Sequence, residues 1–366
     1  MKASRPAILI LTTHIGGGHL NLAQALKDML ETHYEVVIVD PQPNSVDRFY
    51  TPVSRHFLKF LDWQFTFVDN ETTSLWLHRA LTLFSCGRLL SIMEHIQPRL
   101  IITTHALLSY ATARANERRR KRVPLVFQLT DLERLHMPWF TEKRASAYLA
   151  PTHEIFSQAL TQGIDKSRLY LTGRPVRRQF LEVSPSMRSE TLSALKFDPA
   201  VFTIFLQGGA KGSARVDRVI EVLLRAGMPM QIILAAGNNK SMASRYTGVK
   251  QVRVLSFTET IAPYMAAADV IAGKAGASFI SEAFILEKPF IVTTFLPGQE
   301  TPNLQFVEHH NLGWVCPETT AQKELFTRVA SDPGIIAEKV NDIRAYKAWN
   351  MQANQDICPI IDQLLS

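Results

Sequence analysis

Two glycine-rich turns, one histidine and a few carboxylates hold the chemistry this chain can do. Gly273, Lys274 and Gly276 follow the apolar run 269–272 and precede a stretch, 278–287, with apolar residues at helical spacing. At such a junction, unpaired backbone N–H groups and the positive end of the helix dipole hold phosphate, with Ser278 opening the helix. Glu282 stands one turn further on. A carboxylate accepts two hydroxyl hydrogen bonds and suits a ribose better than a phosphate. After the next apolar run, 290–293, a polar loop supplies Gln299, Glu300 and Asn303. These groups hydrogen-bond sugar hydroxyls, so one continuous unit offers partners for diphosphate, ribose and sugar.

A second glycine-rich turn lies near the start, where Gly16-Gly17-Gly18-His19 follows the apolar run 7–11. It is not G-x-G-x-x-G, and Asp40 alone stands where a dinucleotide ribose would need its acid, so little supports a dinucleotide site. His19 titrates near working pH and could take a proton from an acceptor hydroxyl; otherwise it caps or packs under the turn. Asp131 ends an apolar run, at the carboxyl edge of a sheet where functional side chains gather. It could orient His19, serve as the base itself, or cap a helix. A third turn, Gly208-Gly209-Ala210-Lys211-Gly212-Ser213, could cradle diphosphate at the opening of the second half.

Parallel strands must position these groups. Short apolar runs at 7–11, 36–40, 100–103, 125–130, 147–150 and 169–171 alternate with helical stretches in the first half. Runs at 202–206, 231–235, 252–255, 270–272, 290–293 and 314–316 do the same in the second. Both halves open alike, with a buried strand, glycines, then an amphipathic helix. The pattern predicts two doubly wound α/β domains. The break falls near 177–193, giving a first domain over 1–180 and a second over 190–344. The tail, 335–365, reads as helical.

One crossover is too long. About 60 residues separate the strands ending at 40 and starting at 100, where a single helix needs far fewer. This insertion is aromatic, with Phe49, Tyr50, Phe57, Phe60, Trp63, Phe65, Phe67, Trp76 and Phe84. The face Val53, Phe57, Leu58, Leu61 suits core packing, whereas aromatics on an insertion also suit a lipid headgroup interface. Arg118-Arg119-Arg120-Lys121-Arg122 is a dense cationic run, either a solvated helix end or a contact for anionic lipid.

The 366 residues suit two domains, and no apolar run of 18 or more predicts a membrane span. The first residues lack a signal-peptide layout, so cytoplasmic residence is expected. Cys86, Cys316 and Cys358 form no C-x-x-C pair and indicate neither disulfide framework nor zinc site. A net charge of +7 with pI near 9.3 favours an anionic partner. Nucleic acid is one candidate, but no RRM, KH or helix-turn-helix signature accompanies it; an anionic membrane surface is the other.

The segments AAAD (266–269), KAGAS (274–278), SEA (281–283), KPFI (288–291) and PGQE (297–300), followed by Asn303, resemble the donor site of lipid glycosyltransferases. The family is that of monogalactosyldiacylglycerol synthases and processive diacylglycerol glucosyltransferases (glycosyltransferase family 28). The lipid II-forming peptidoglycan glycosyltransferase is a more distant relative. The resemblance runs from residue 8 to about 314, with a divergent stretch at 41–99. It implies a GT-B architecture, two Rossmann-like domains facing across a cleft, with the final helix, about 345–366, packing back on the first. It implies inverting transfer of a hexose from UDP-galactose or UDP-glucose to diacylglycerol or a similar lipid, by an enzyme peripheral on the inner face of the cell membrane.

GGGH matches the family pattern and implies an acceptor-side role for Gly17 and Gly18 beside His19. The Thr130-Asp131, His136, Trp139-Phe140 element is similar to one on the family's acceptor side, which puts His136 and Trp139 near a lipid headgroup, with Arg119 and Arg120 toward the membrane. Thr172-Gly173-Arg174-Pro175-Val176 is similar to a TG-x-PV joint. Asn238 lies in a G-x-N-K match, and Phe257 in a match to the element whose backbone reads uracil. Lys211 departs from the acidic or small residue common at its position. No D-x-D metal motif accompanies the donor site, so no divalent cation is expected. A UDP-sugar epimerase of the same fold is the alternative, and it would need neither the aromatic insertion nor the basic run.

Overall fold

The computed structural model describes residues 5–13, 17–42, 65–208 and 216–366. The chain separates into two compact units, Met1–Arg177 with Trp349–Ser366, and Arg178–Ala348. Gly16, the aromatics at 49–63, the face 53–61, and Gly209, Lys211, Gly212 and Ser213 lie outside the described residues.

In the first unit the described elements run β1 (Ala7–Leu11), α1 (Gly18–Leu30), β2 (Glu35–Val39), α2 (Glu71–Ile96), β3 (Leu100–Thr103), α3 (Ala106–Arg118), β4 (Leu125–Gln128), β5 (Ala147–Ala150), α4 (His153–Thr161) and β6 (Leu169–Leu171). All strands pair in parallel, in the order β2-β1-β3-β4-β5-β6. A parallel strand covered on both faces must be apolar throughout, which is why β3, β4 and β5 are buried at every residue. Of the long crossover, 71–96 is one helix whose Ser74, His78, Cys86, Leu89 and Met93 face inward.

The second unit runs α5 (Met187–Ala194), β7 (Phe202–Gln207), α6 (Val216–Arg225), β8 (Met230–Gly237), α7 (Lys240–Tyr246), β9 (Val252–Ser256), α8 (Ala262–Ala267), β10 (Val270–Lys274), α9 (Ala277–Ile285), β11 (Phe290–Thr294), α10 (Thr301–His309), β12 (Gly313–Val315) and α11 (Thr319–Ser331). The order β12-β11-β10-β7-β8-β9 is that of a doubly wound dinucleotide-binding sheet, again all parallel. The helical tail is two helices, α12 (Pro333–Asn354) and α13 (Ile357–Leu365). Ile357, Ile360 and Ile361 of α13 join β1, α1 and β3 in the core of the first unit.

Strand order reverses between β1 and β3 in the first sheet, and between β7 and β10 in the second. Such switch points open a crevice beyond the carboxyl ends of the strands, where ligands of these sheets bind. His19 follows β1, and Gly276 follows β10, so both glycine-rich turns sit at switch points.

Candidate active site

Topology brings His19 against the loop after β3. Gly17, left-handed at φ 79°, turns the chain into α1, whose N-terminus carries no side-chain cap. The Nδ1–H of His19 donates to the Thr104 carbonyl at 2.7 Å. A carbonyl only accepts, so this bond fixes the tautomer and leaves the lone pair on Nε2. The His19 and His105 rings meet edge to face with centroids 4.5 Å apart. The Thr104 hydroxyl donates to Thr12 at 2.9 Å. Burial pushes His19 down to about 4, the Thr104 carbonyl opposes this, and Arg174 adds to the lowering. His105 also stays well below the ordinary range through burial, then His19 and His78. The imidazole of His19 is therefore neutral at working pH. The Thr104 carbonyl orients the ring, and the Asp131 carboxylate accepts from the Thr130 hydroxyl at 3.4 Å.

Sequence reasoning missed His105 and Arg174. His105 caps α3, its Nδ1 accepting from Leu107 N at 3.3 Å; a histidine directly after an apolar strand was the available signal. Arg174, assigned to a joint, is 3 % exposed and donates through Nη1 to the Thr130 carbonyl.

At the second switch point, Gly273 and Lys274 belong to β10 rather than to the turn. A Cβ on Gly273 would lie 2.2 Å from the Gln207 carbonyl oxygen, so β7 and β10 can pass this closely only at glycine. Gly276 is the N-cap of α9 and no side chain caps this end, so the positive end of the helix dipole faces the turn. Ser278 and Glu282 are buried on α9, Glu282 one turn inside.

Two assignments change here. Lys274 is ion-paired with Glu300, both largely buried, and the other carboxylate oxygen accepts from Leu296 N at 2.8 Å. Glu300 thus holds Lys274 and the loop backbone in place. Because the pair is neutral as a unit, the positive field at the turn comes from α9. Asn303 is buried and donates to the Ala275 carbonyl at 3.0 Å, which braces the same turn. Gln299 lies half-buried beyond left-handed Gly298. Asn238 is exposed at the end of β8, and Phe257 is exposed after β9.

The proposed membrane contacts divide. Trp139 is 2 % exposed and packs against Phe127, so it belongs to the core and not to a lipid surface. Its apolar neighbours Leu135 and Phe140 are buried with it, and that registry was invisible locally. His136 donates through Nε2 to the Phe65 carbonyl at 2.5 Å and lies 3.9 Å from Asp69, tying the start of the α2 region to this loop. Arg119 buries one guanidinium nitrogen, whereas Arg120, Lys121 and Arg122 are exposed.

Both units of the chain are similar to known proteins. The family model for monogalactosyldiacylglycerol (MGDG) synthase matches residues 19–176, and that for the glycosyltransferase family 28 C-terminal domain matches 203–332. Monogalactosyldiacylglycerol synthase 2, chloroplastic, of Arabidopsis thaliana is 27 % identical, over 98 % of this chain and 80 % of that protein. Anabaena Alr3699/HepE, solved in complex with UDP-glucose, has a similar fold at a TM-score of 0.58 and 17 % identity, covering 98 % of this chain and 100 % of that one. Acinetobacter baumannii MurG has a TM-score of 0.62 at 13 % identity, covering 98 % and 99 %. The fold is GT-B. The chain belongs to the monogalactosyldiacylglycerol synthase family and is a UDP-sugar-dependent glycosyltransferase of family 28.

Proposed function

We propose that this chain moves galactose or glucose to diacylglycerol, with inversion, at a membrane surface. His19 is the base. Its Nε2 lone pair takes the proton of the acceptor hydroxyl as that oxygen attacks the anomeric carbon and the bond to UDP breaks. The uncapped end of α9 stabilises the charge growing on the diphosphate, and Glu282 holds the ribose. The observation that carries this reading is the fixed Nδ1–H tautomer of His19 at a sheet switch point. The charge stabilisation assigned here uses backbone donors, so transfer proceeds without a divalent cation. The nucleotide-sugar in the HepE complex supports a UDP-hexose donor.

A surface on the first unit supports the lipid acceptor. No helix among the described residues is long and apolar enough to cross a membrane. Yet α2 turns Trp76 (71 % exposed), Leu83 and Phe84 (87 %) to solvent on one face, with Arg79 and Arg88 among them. The Arg118 guanidinium reaches Cys86 of α2 at 3.3 Å, so the basic run starts beside this helix. Apolar side chains that enter the headgroup layer and cations that meet anionic lipid are a two-part anchor. On this reading the enzyme works peripherally on the cytoplasmic face of the cell membrane. An epimerase acting on a soluble UDP-sugar would have no use for that face.

Single-turnover transfer with His19→Ala is the test. The rate is expected to fall roughly 100-fold or more with UDP affinity nearly unchanged, and wild-type activity is expected to survive EDTA. An unaltered rate would remove His19 from the role, and strict Mg²⁺ dependence would contradict the charge assignment.

A further inference from the structure

His105 carries more chemistry than its place in the chain requires. It is the N-cap of α3, and its Nδ1 accepts from Leu107 N at 3.3 Å. Asn, Asp, Ser and Thr are the favoured caps, and α2, α4 and α7 use Asn70, Thr152 and Asn239. An imidazole does the same work and adds a second nitrogen. A backbone N–H only donates, so Nδ1 of His105 carries the lone pair and the ring proton sits on Nε2. His19 has the opposite tautomer, because its Nδ1–H donates to the Thr104 carbonyl at 2.7 Å. The two rings touch edge to face, with centroids 4.5 Å apart. Among the described residues, no hydrogen bond reaches the Nε2 of either ring. At the switch point between β1 and β3 the chain thus sets one nitrogen lone pair and one N–H on two rings in contact. Burial holds both rings below the ordinary histidine range, so both are neutral at working pH and keep these roles.

We propose that His105 is a second catalytic residue for the transfer, its Nε2–H donating to the acceptor hydroxyl whose proton His19 takes. The proposal rests on the reading of His19 as base. A hydroxyl has one hydrogen to give and two lone pairs. Its hydrogen goes to the Nε2 lone pair of His19, one of its own lone pairs accepts from His105, and the other is left for the anomeric carbon. Two bonds fix the oxygen where a single bond to the base would let it swing, and an in-line attack gains rate from that. In the reaction the O–H bond breaks and the proton moves to His19 Nε2. The oxygen's electron pair forms the new bond to the anomeric carbon, and the pair of the old C–O bond leaves on the diphosphate of UDP. His105 gives up no proton. Its N–H steadies the partial negative charge on the attacking oxygen while the proton is in flight. A histidine that only capped α3 would need nothing at Nε2.

Tautomer and turnover test this separately. In wild-type enzyme carrying isotope-labelled histidine, NMR shifts of the ring nitrogens should show His19 protonated on Nδ1 and His105 on Nε2 at neutral pH. His105 protonated on Nδ1, or on both nitrogens, would overturn the proposal. His105→Ser and His105→Thr keep a capping oxygen and lose the ring N–H. Turnover is measured with saturating amounts of the UDP-hexose that the wild type accepts and diacylglycerol in vesicles. It should fall on the order of 100-fold in both variants. UDP affinity, melting temperature and inhibition by a diacylglycerol analogue lacking the hydroxyl should match the wild type. Adding His105→Ser to His19→Ala should cost much less than it does in the wild type, since both rings act on one hydroxyl; losses that multiply in full would overturn the proposal. Wild-type turnover in His105→Ser, with His19→Ala inactive, would leave His105 as a cap and His19 as base. Failure of both capping variants to fold would also overturn the proposal, in favour of a structural role. If His19→Ala turns over at the wild-type rate, the base assignment fails and this proposal with it.

Discussion

Acidification should loosen the first unit well before the second. His78 is 1 % exposed, its Nε2–H donates to the Pro138 carbonyl at 3.1 Å, and its Nδ1 has no partner. Burial lowers it to about 4. Unfolded, it titrates near 6.5, so between these values the unfolded chain binds a proton that the folded chain refuses. Stability is then full above the unfolded value and falls as pH drops through that window. The loss for His78 alone is about 2 kcal/mol between pH 8 and pH 5, and about 3 kcal/mol by pH 3. His19 and His105, both lowered chiefly by burial, act in the same direction. Carboxylates depressed by partners, such as Glu117 and Glu287, contribute below pH 5 and leave this window clear. Lys288 of the second unit, lowered to about 8 by burial, already bears most of its cost at pH 8. Against a total of about 5–15 kcal/mol for a domain, the effect is measurable. Hydrogen exchange, corrected for intrinsic rates, should show amides of β1, β3 and β4 losing at least about 2 kcal/mol of protection from pH 8 to pH 5. Amides of β7, β8 and β10 should lose less than half of that. His78→Leu should flatten the first-unit dependence. Equal, small changes in both units would refute the reasoning.

Three further outcomes follow from the geometry. Glu282→Ala should weaken UDP binding by roughly 10–100-fold, from charge-assisted bonds of about 1.5–3 kcal/mol; calorimetric titration that finds equal dissociation constants would remove Glu282 from the donor site. Lys274→Met leaves Glu300 buried without its cation and should cost about 3–5 kcal/mol in urea melts, with Lys274→Met/Glu300→Gln milder than the single change; a single variant as stable as wild type would show the pair to be dispensable. The protein should sediment with vesicles containing phosphatidylglycerol. Trp76→Ser/Phe84→Ser should weaken the part that salt does not remove, and Arg120→Ala/Lys121→Ala/Arg122→Ala the part that it does; wild type left in the supernatant at low salt would sink the membrane reading.

The strands were legible because a parallel strand buried on both faces is an uninterrupted apolar run, as 7–11, 100–103 and 147–150 are. The two switch-point turns were legible because glycine, a helix start and a polar residue fall together in sequence. Partners distant in the chain were not. The Lys274–Glu300 pair, 26 residues apart, and the His19–Thr104 bond, 85 apart, depend on strand order, which local pattern leaves open. Trp139 failed for a related reason: an aromatic in a polar loop reads the same whether it covers a core or a membrane. Arg174 was hidden in a joint motif, since its partners Thr130 and Asn350 are far from it in sequence.

Transfer itself is the most direct test. Purified enzyme is incubated with radiolabelled UDP-galactose or UDP-glucose and vesicles containing diacylglycerol, and the lipids are separated by thin-layer chromatography. The account predicts a labelled monohexosyl diacylglycerol of inverted anomeric configuration from one of the two donors, lost in His19→Ala and in Glu282→Ala at limiting donor. Label that stays in the aqueous phase with both donors, with epimerised UDP-sugar as the product, would contradict it.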